Sequence, residues 1–156
     1  MSLESVVLEH VPPSYKVYLA LFRNVQNAGF LHQQLLARNA DFEYAFIDAS
    51  MIADAYRRFG VSPSTSDLFV VKITFPNESN PVPASSESIS QHLRDNVQGD
   101  AVPATDEIIE GITDVRTVRK NYKLNGLAWL DGVKDEVVKR KEIERLVLGG
   151  MALRGV

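Results

Sequence analysis

The chain has 156 residues, 45% of them hydrophobic and 24% charged, with a formal net charge of −3. That length suits one domain burying about two thirds of its unfolded surface, the composition argues against general disorder, and the slight acidity argues against a molecule-wide pull on phosphate backbones. The lack of cysteine excludes disulfides, thiolate metal sites and cysteine nucleophiles.

The opening MSLESVVLEHVPPSYK carries acids where a signal peptide is basic. No apolar run approaches the roughly 20 residues of a membrane span. The expectation is a soluble protein of the cytoplasm or nucleus with no membrane partner.

KVYLALF, residues 16–22, is an almost unbroken apolar run with aromatic and β-branched members, which predicts a central strand covered on both faces. NAGFLHQQLLA follows as a first helix. Asn27 is placed to cap its amides, and Leu31 and Leu35, with Phe30 and Leu36 beside them, form the buried stripe. FEYAFID, residues 42–48, alternates aromatics and predicts a strand ending at Asp48. MIADAYRRFG, residues 51–60, switches to helical spacing through Ile52, Tyr56 and Phe59, with Gly60 as its stop. SDLFVVKITF, residues 66–75, is the clearest strand, with Phe69, Val71, Ile73 and Phe75 on one face and Leu68, Val70, Lys72 and Thr74 on the other.

PNESNPVPASSE reads as a polar, proline-bearing loop. Beyond it Ile89, Leu93 and Val97 recur at intervals of four, with serines ahead to cap the helix and Gly99 to end it. TDEIIEGI places two acids in a first helical turn, where the helix dipole favours them. DVRTVRKNYKL, residues 114–124, sorts Val115, Val118 and Tyr122 to one face and Arg116, Arg119, Lys120 and Lys123 to the remaining surface. The final segment balances its charges through 131–145 and then turns apolar at Leu146, Val147, Leu148, Met151 and Leu153. The elements together predict an α/β (α+β) fold: one domain over 1–156, with a small central mixed or antiparallel sheet flanked by helices and a helical C-terminal half.

Catalytic and metal signatures are missing from the sequence. His10, His32 and His92 are far apart with no ligand-spaced partner. No nucleophile elbow or phosphate loop occurs, and Gly149-Gly150 interrupts an apolar helix, which suggests close packing or a kink. No metal, cofactor or catalytic residue is expected. The basic stripe of 116–123 is the best candidate for binding an anion, with Tyr122 as a stacking ring, although such stripes are more often solvated faces. Arg57 and Arg58 complement the end of a helix dipole, which is reason enough for them. A small-molecule-binding α/β domain or enzyme, with its site at the strand ends near Asp48 and Lys72, stays open as an alternative.

The ordered segments VYLALFRNVQNAGFLHQQL, YAFIDAS, IADAYRRFGVSPSTSDLFVVKI, VRKNYKL and MALRGV resemble the small subunit of the KEOPS/EKC complex that binds the complex's atypical kinase, the family of the PRPK-binding protein. The resemblance implies a non-catalytic accessory subunit that docks on the kinase and, through it, meets the subunit that transfers the threonylcarbamoyl group to adenosine in tRNA. It also implies capture of the single-stranded 3′ CCA tail of tRNA, with Arg116, Arg119, Lys120, Lys123 and Tyr122 as the groups to carry it here. Kinase docking belongs to the C-terminal helical region, here Leu146, Val147, Met151 and Leu153. One departure stands out: several dozen residues that the family carries between its F-I-D strand and its F-G-I helix are missing near 50–51. A truncated isoform without activity of its own is the further alternative this raises.

Overall fold

The computed structural model describes residues 3–9, 11–51, 60–78 and 81–154, with residues 51 and 151–154 as backbone only. The described chain gathers into two compact units, one over residues 3–50 and 60–112 and one over 113–154.

The first unit is built on strands β1 (Glu4–Val6), β2 (Lys16–Arg23), β3 (Ala45–Asp48), β4 (Leu68–Thr74) and β5 (Asp100–Val102). Every ladder is antiparallel: β4 lies between β2 and β3, and β1 and β5 share the other edge of β2 end to end. KVYLALF is therefore central, as its unbroken apolar run predicts. Its alternate residues feed two cores. Tyr18, Ala20 and Phe22 join Leu68 and Val70 under helices α1 (Ala28–Leu36) and α2 (Ser86–Asn96), which supply Leu31, Ile89 and Leu93. Leu21 and Phe69 face the opposite way, against Ala49 and the isoleucines of α3 (Asp106–Ile112). Leu31 and Leu68 have no exposed surface and Leu93 almost none, and each such burial contributes about 1.5–3 kcal/mol.

Several expectations are corrected. Strand 42–48 shortens to β3, because Phe42 lies in a 3₁₀ turn, Ala40–Phe42. The Glu43 N–H donates to the Ala40 carbonyl (3.3 Å), which takes it out of the ladder, and the Glu43 carbonyl accepts from Lys72 Nζ (2.5 Å). Asn27 precedes α1 but makes no side-chain cap. Its amide instead donates to the Asn96 carbonyl (2.8 Å) and accepts from the Gln98 N–H (3.0 Å), tying α1 to the end of α2. Gly99 does not stop α2, which ends on Val97. It sits where a side chain would strike the Arg23 carbonyl oxygen at 2.9 Å. The short strands β1 and β5 have too few residues to show a period, and β5 interrupts the helical second half. The helix expected over 51–60 lies outside the described residues but for its ends: Met51 closes a 3₁₀ turn, and Gly60 bridges Ile47.

The second unit is helical: α4 (Val115–Asn121), α5 (Ala128–Asp131) and α6 (Glu136–Arg154). Val118, Leu124, Leu130 and Ile143 form its core, joined by Val115, Tyr122, Leu127, Leu146 and Val147.

Candidate functional site

Helix α4 begins on Asp114. Its carboxylate accepts the N–H groups of Arg116 (2.9 Å) and Thr117 (3.3 Å) and the Thr117 hydroxyl (2.7 Å). These bonds, led by the Thr117 hydroxyl, hold the Asp114 carboxyl below the usual carboxylate range. The helix ends on Lys123, held at φ 56°. Leu124 N–H donates to the Arg119 carbonyl (2.8 Å) and Lys123 N–H to the Lys120 carbonyl (3.2 Å), the paired bonds of a Schellman end with Lys123 in the left-handed position.

Between these caps the basic residues separate. Arg116 and Lys120 are exposed at i and i+4 on the helix, and Lys123 is exposed just past its end, so three like charges stand along α4 and its cap. Arg119 lies four residues after the inward Val115, and its side chain is only 19% exposed. It donates to Asp131 (2.5 Å) and to the Leu124 carbonyl (3.5 Å), clamping α5 to the end of α4. Its Nε is buried without a partner. Tyr122 is half-buried among the core residues of this unit, and its ring lies on Gly150, where an added Cβ would come within 3.0 Å of Tyr122 Cδ1. The sequence grouped all five residues as an anion surface; three form a free stripe, while Arg119 and Tyr122 serve the helical core. Their spacing from Val115 and Val118 is the signal that tells them apart. Of the Gly149-Gly150 pair, Gly150 makes the close approach and Gly149 meets nothing within 4 Å.

Helix α6 is capped by Asp135, which accepts from the N–H groups of Val137 (2.9 Å) and Val138 (3.1 Å). Ile143, Leu146 and Val147 turn inward, so two of the four apolar residues expected at a docking surface are half-buried in their own unit. Met151 and Leu153 lie on the same helix, their side chains outside the description. Val137 (67% exposed) and Leu148 (64%) face outward instead. They stand eleven residues apart, so i, i+4, i+7, i+11 spacing puts them on one stripe with Lys141 and Glu144.

The alternative strand-end site does not assemble. Asp48 accepts Ser50 N–H (3.0 Å), Ser50 Oγ (2.6 Å) and Thr65 Oγ1 (2.7 Å), which occupy both carboxylate oxygens. Lys72 serves the Glu43 carbonyl and lies 5.0 Å from the Tyr44 ring centre. Asp48 pairs with Leu68, four residues from Lys72, or roughly 13 Å along the strand. Among the described residues no group of three or more His, Cys, Asp or Glu side chains is placed to hold a metal, and no helix is long and apolar enough to cross a membrane.

Comparison with known proteins places these features in a family. The model of the kinase binding protein CGI-121 family matches the chain in two stretches, residues 22–55 and 52–155. The chain is 52% identical to the EKC/KEOPS complex subunit CGI121 of Gibberella zeae over 197 aligned positions that take in 100% of both chains. It is 39% identical to the subunit of that name from Neurospora crassa, again over 100% of both, and 36% identical to that of Aspergillus terreus over 99% of this chain and 97% of the relative. The alignment with the Gibberella zeae protein has 197 positions against 156 residues here, so 41 of them hold no residue of this chain. With both stretches of the family model and full-length relatives in agreement, the chain belongs to the CGI-121 kinase binding protein family.

Proposed function

We propose that this protein is a non-catalytic subunit of an EKC/KEOPS complex that binds the complex's atypical kinase and helps bring in tRNA for threonylcarbamoyladenosine modification. The observation that carries the reading is the full-length alignment at 52% identity with a protein named as a subunit of that complex. Contact with the threonylcarbamoyl transferase is indirect, through the kinase, and the protein works in the nucleus and cytoplasm. The C-terminal part of α6 is the kinase surface. Leu148 is its exposed apolar residue, Met151 and Leu153 continue it, and Leu146 and Val147 hold the helix on its own unit.

For tRNA, the stripe of Arg116, Lys120 and Lys123 supplies positive charge with no acid between residues 115 and 123. Arg119 and Tyr122 shape that surface from beneath. The family match breaking at 52–55 and the 41 unfilled positions support the reading that an internal segment of the family is missing after residues 50–51.

Two measurements test the proposal. In co-purification with the kinase subunit, Leu148→Glu is expected to release the kinase while leaving the helical unit folded; retention by the folded variant removes this surface from the reading. Gel shifts with intact and CCA-trimmed tRNA are expected to show weaker binding of the trimmed form, and equal affinities count against tail recognition.

A further inference from the structure

The turn between α4 and α5 carries a residue pair that neither kinase binding nor tRNA capture uses. Of the eight asparagines in the chain, Asn125 alone is followed by glycine. Both residues are exposed and lie outside any helix or strand. The turn is anchored on each side: the Leu124 N–H is bonded to the Arg119 carbonyl (2.8 Å), and the Leu127 carbonyl accepts from Leu130 and Asp131 N–H (3.0 Å each). Between those anchors Gly126 takes a φ of +85°, and a Cβ built on it would meet nothing within 4 Å. Among the described residues neither the Gly126 N–H nor the Asn125 side-chain amide has a hydrogen-bond partner in the protein.

Other positions with related chemistry are closed by their surroundings. Asn24, Asn27, Asn39 and Asn96 each commit the side-chain amide to a partner, at 2.8, 2.8, 2.7 and 2.8 Å, and each precedes valine or alanine, whose Cβ shields the following backbone nitrogen. Asp131-Gly132 is the one Asp-Gly pair. There the Gly132 N–H is bonded to the Ala128 carbonyl (3.0 Å) and the Asp131 carboxylate is held by Arg119 (2.5 Å). At Gly126 the nitrogen has no Cβ beside it, no hydrogen bond to give up and room to turn.

We propose that Asn125 is a site of spontaneous conversion to aspartate and isoaspartate, with water as the only co-reactant. The Gly126 nitrogen gives its proton to a solvent base and attacks the Asn125 side-chain carbonyl carbon. A C–N bond forms there, the bond from that carbon to the amide nitrogen breaks, and that nitrogen takes a proton from solvent and leaves as ammonia. Water then opens the cyclic imide. Opening at the side-chain carbon restores the main chain with an aspartate, and opening at the main-chain carbon leaves the chain running through Cβ, one atom longer. Nothing is oxidised or reduced: asparagine and water give an acid and ammonia, and with the acid ionised the formal net charge goes from −3 to −4. The new carboxylate stands two residues after Lys123 and beside Leu124, whose carbonyl accepts from Arg119 (3.5 Å). It therefore offsets positive charge at the C-terminal end of the basic stripe. That consequence for tRNA rests on reading the stripe as the RNA surface, whereas the modification does not.

Peptide mass spectrometry of the full chain, incubated folded at mildly alkaline pH and then digested with trypsin, tests the proposal. Trypsin cuts after Lys123 and Lys134, so one peptide, Leu124–Lys134, holds both glycine pairs. This peptide is expected to gain a single mass unit, with fragmentation placing the gain on Asn125 and the isoaspartyl form separating as a second peak. The pace should rise with hydroxide and lie close to that of the same peptide incubated free, while Asp131 stays unchanged. Asn125→Gln, whose longer side chain disfavours ring closure, is expected to show no gain, with circular dichroism unchanged. Persistence of Asn125 in the folded chain while the free peptide converts, isoaspartate at Asp131 as fast as at Asn125, or an equal gain in the Asn125→Gln chain overturns the inference. Gel shifts with Asn125→Asp read the consequence separately: the slope of log affinity for tRNA against log salt is expected to fall by up to about 1. An unchanged slope beside a clear mass gain tells against the stripe as the RNA surface and leaves the modification standing.

Discussion

Replacing Gly99 with alanine is the sharpest stability test the fold offers. The added methyl would stand 2.9 Å from the Arg23 carbonyl oxygen, 3.1 Å from Val25 Cγ2 and 3.3 Å from Val25 Cα. None of these neighbours is free to withdraw. Arg23 is laddered to Asp100, Val25 N–H is bonded to the Ser66 carbonyl (2.8 Å) and Gln26 N–H to the Gln98 carbonyl (2.8 Å). Overpacking against such a pinned backbone costs about 1–3 kcal/mol. The alanine restricts the unfolded chain and returns about 0.4–1 kcal/mol, leaving a net loss of about 1–2 kcal/mol. For a chain of this size that lowers Tm by about 5 °C. Gly149→Ala is the control of opposite sign: it meets nothing within 4 Å inside α6 and should gain about 0.5–1 kcal/mol from helix propensity. Calorimetry on the two variants reads both. A Gly99→Ala protein as stable as wild type refutes the close approach.

The remaining predictions concern the helical unit, which Trp129, the one tryptophan, reports by fluorescence. Asp114→Ala removes a cap and should destabilise this unit by about 1 kcal/mol at neutral pH. Because the folded carboxyl titrates below its unfolded value, its contribution is present above the unfolded pKa and lost as pH falls through the folded one; wild type and variant should converge in acid. Arg119→Ala, which breaks the Asp131 clamp, should cost about 1 kcal/mol in the denaturant midpoint. Lys120→Ala, by contrast, should leave stability within about 0.5 kcal/mol while weakening tRNA in gel shifts. Lys123→Gly relieves the positive φ and should stabilise α4 by about 1 kcal/mol, yet weaken tRNA, separating stability from binding at one residue.

What the sequence made legible were the elements long enough to repeat. β2, β4, α1 and α2 carry several periods of apolar residues, and Phe22, Leu31, Leu68, Ile89 and Leu93 are buried as the spacing predicts, whereas Phe30 and Leu36, expected beside Leu31 in the buried stripe of α1, are exposed, as is Ile73 at the end of β4. The three-residue strands β1 and β5 carry no period and are fixed by the unsatisfied edge of β2. Local rules predict Asn27 as a cap and Gly99 as a stop, while long-range contacts decide both. The candidate surface divides the same way. That α4 is basic is plain from composition; the spacing of Arg119 from Val115 turns it toward the inner face, and the long-range partner that holds it there, Asp131, twelve residues on, is not legible locally. Leu146 and Val147 share an apolar run with Leu148, and the angle around α6 sends the first two inward and the last outward.

As a subunit of an EKC/KEOPS complex, this chain is expected to bind the kinase despite 41 alignment positions that hold no residue of its own. Size-exclusion chromatography of the chain mixed with the complex's kinase subunit, run beside the Gibberella zeae relative, tests it most directly. Co-elution of both proteins with the kinase is the predicted result. Co-elution of the relative alone, with this chain folded but separate from the kinase, contradicts it.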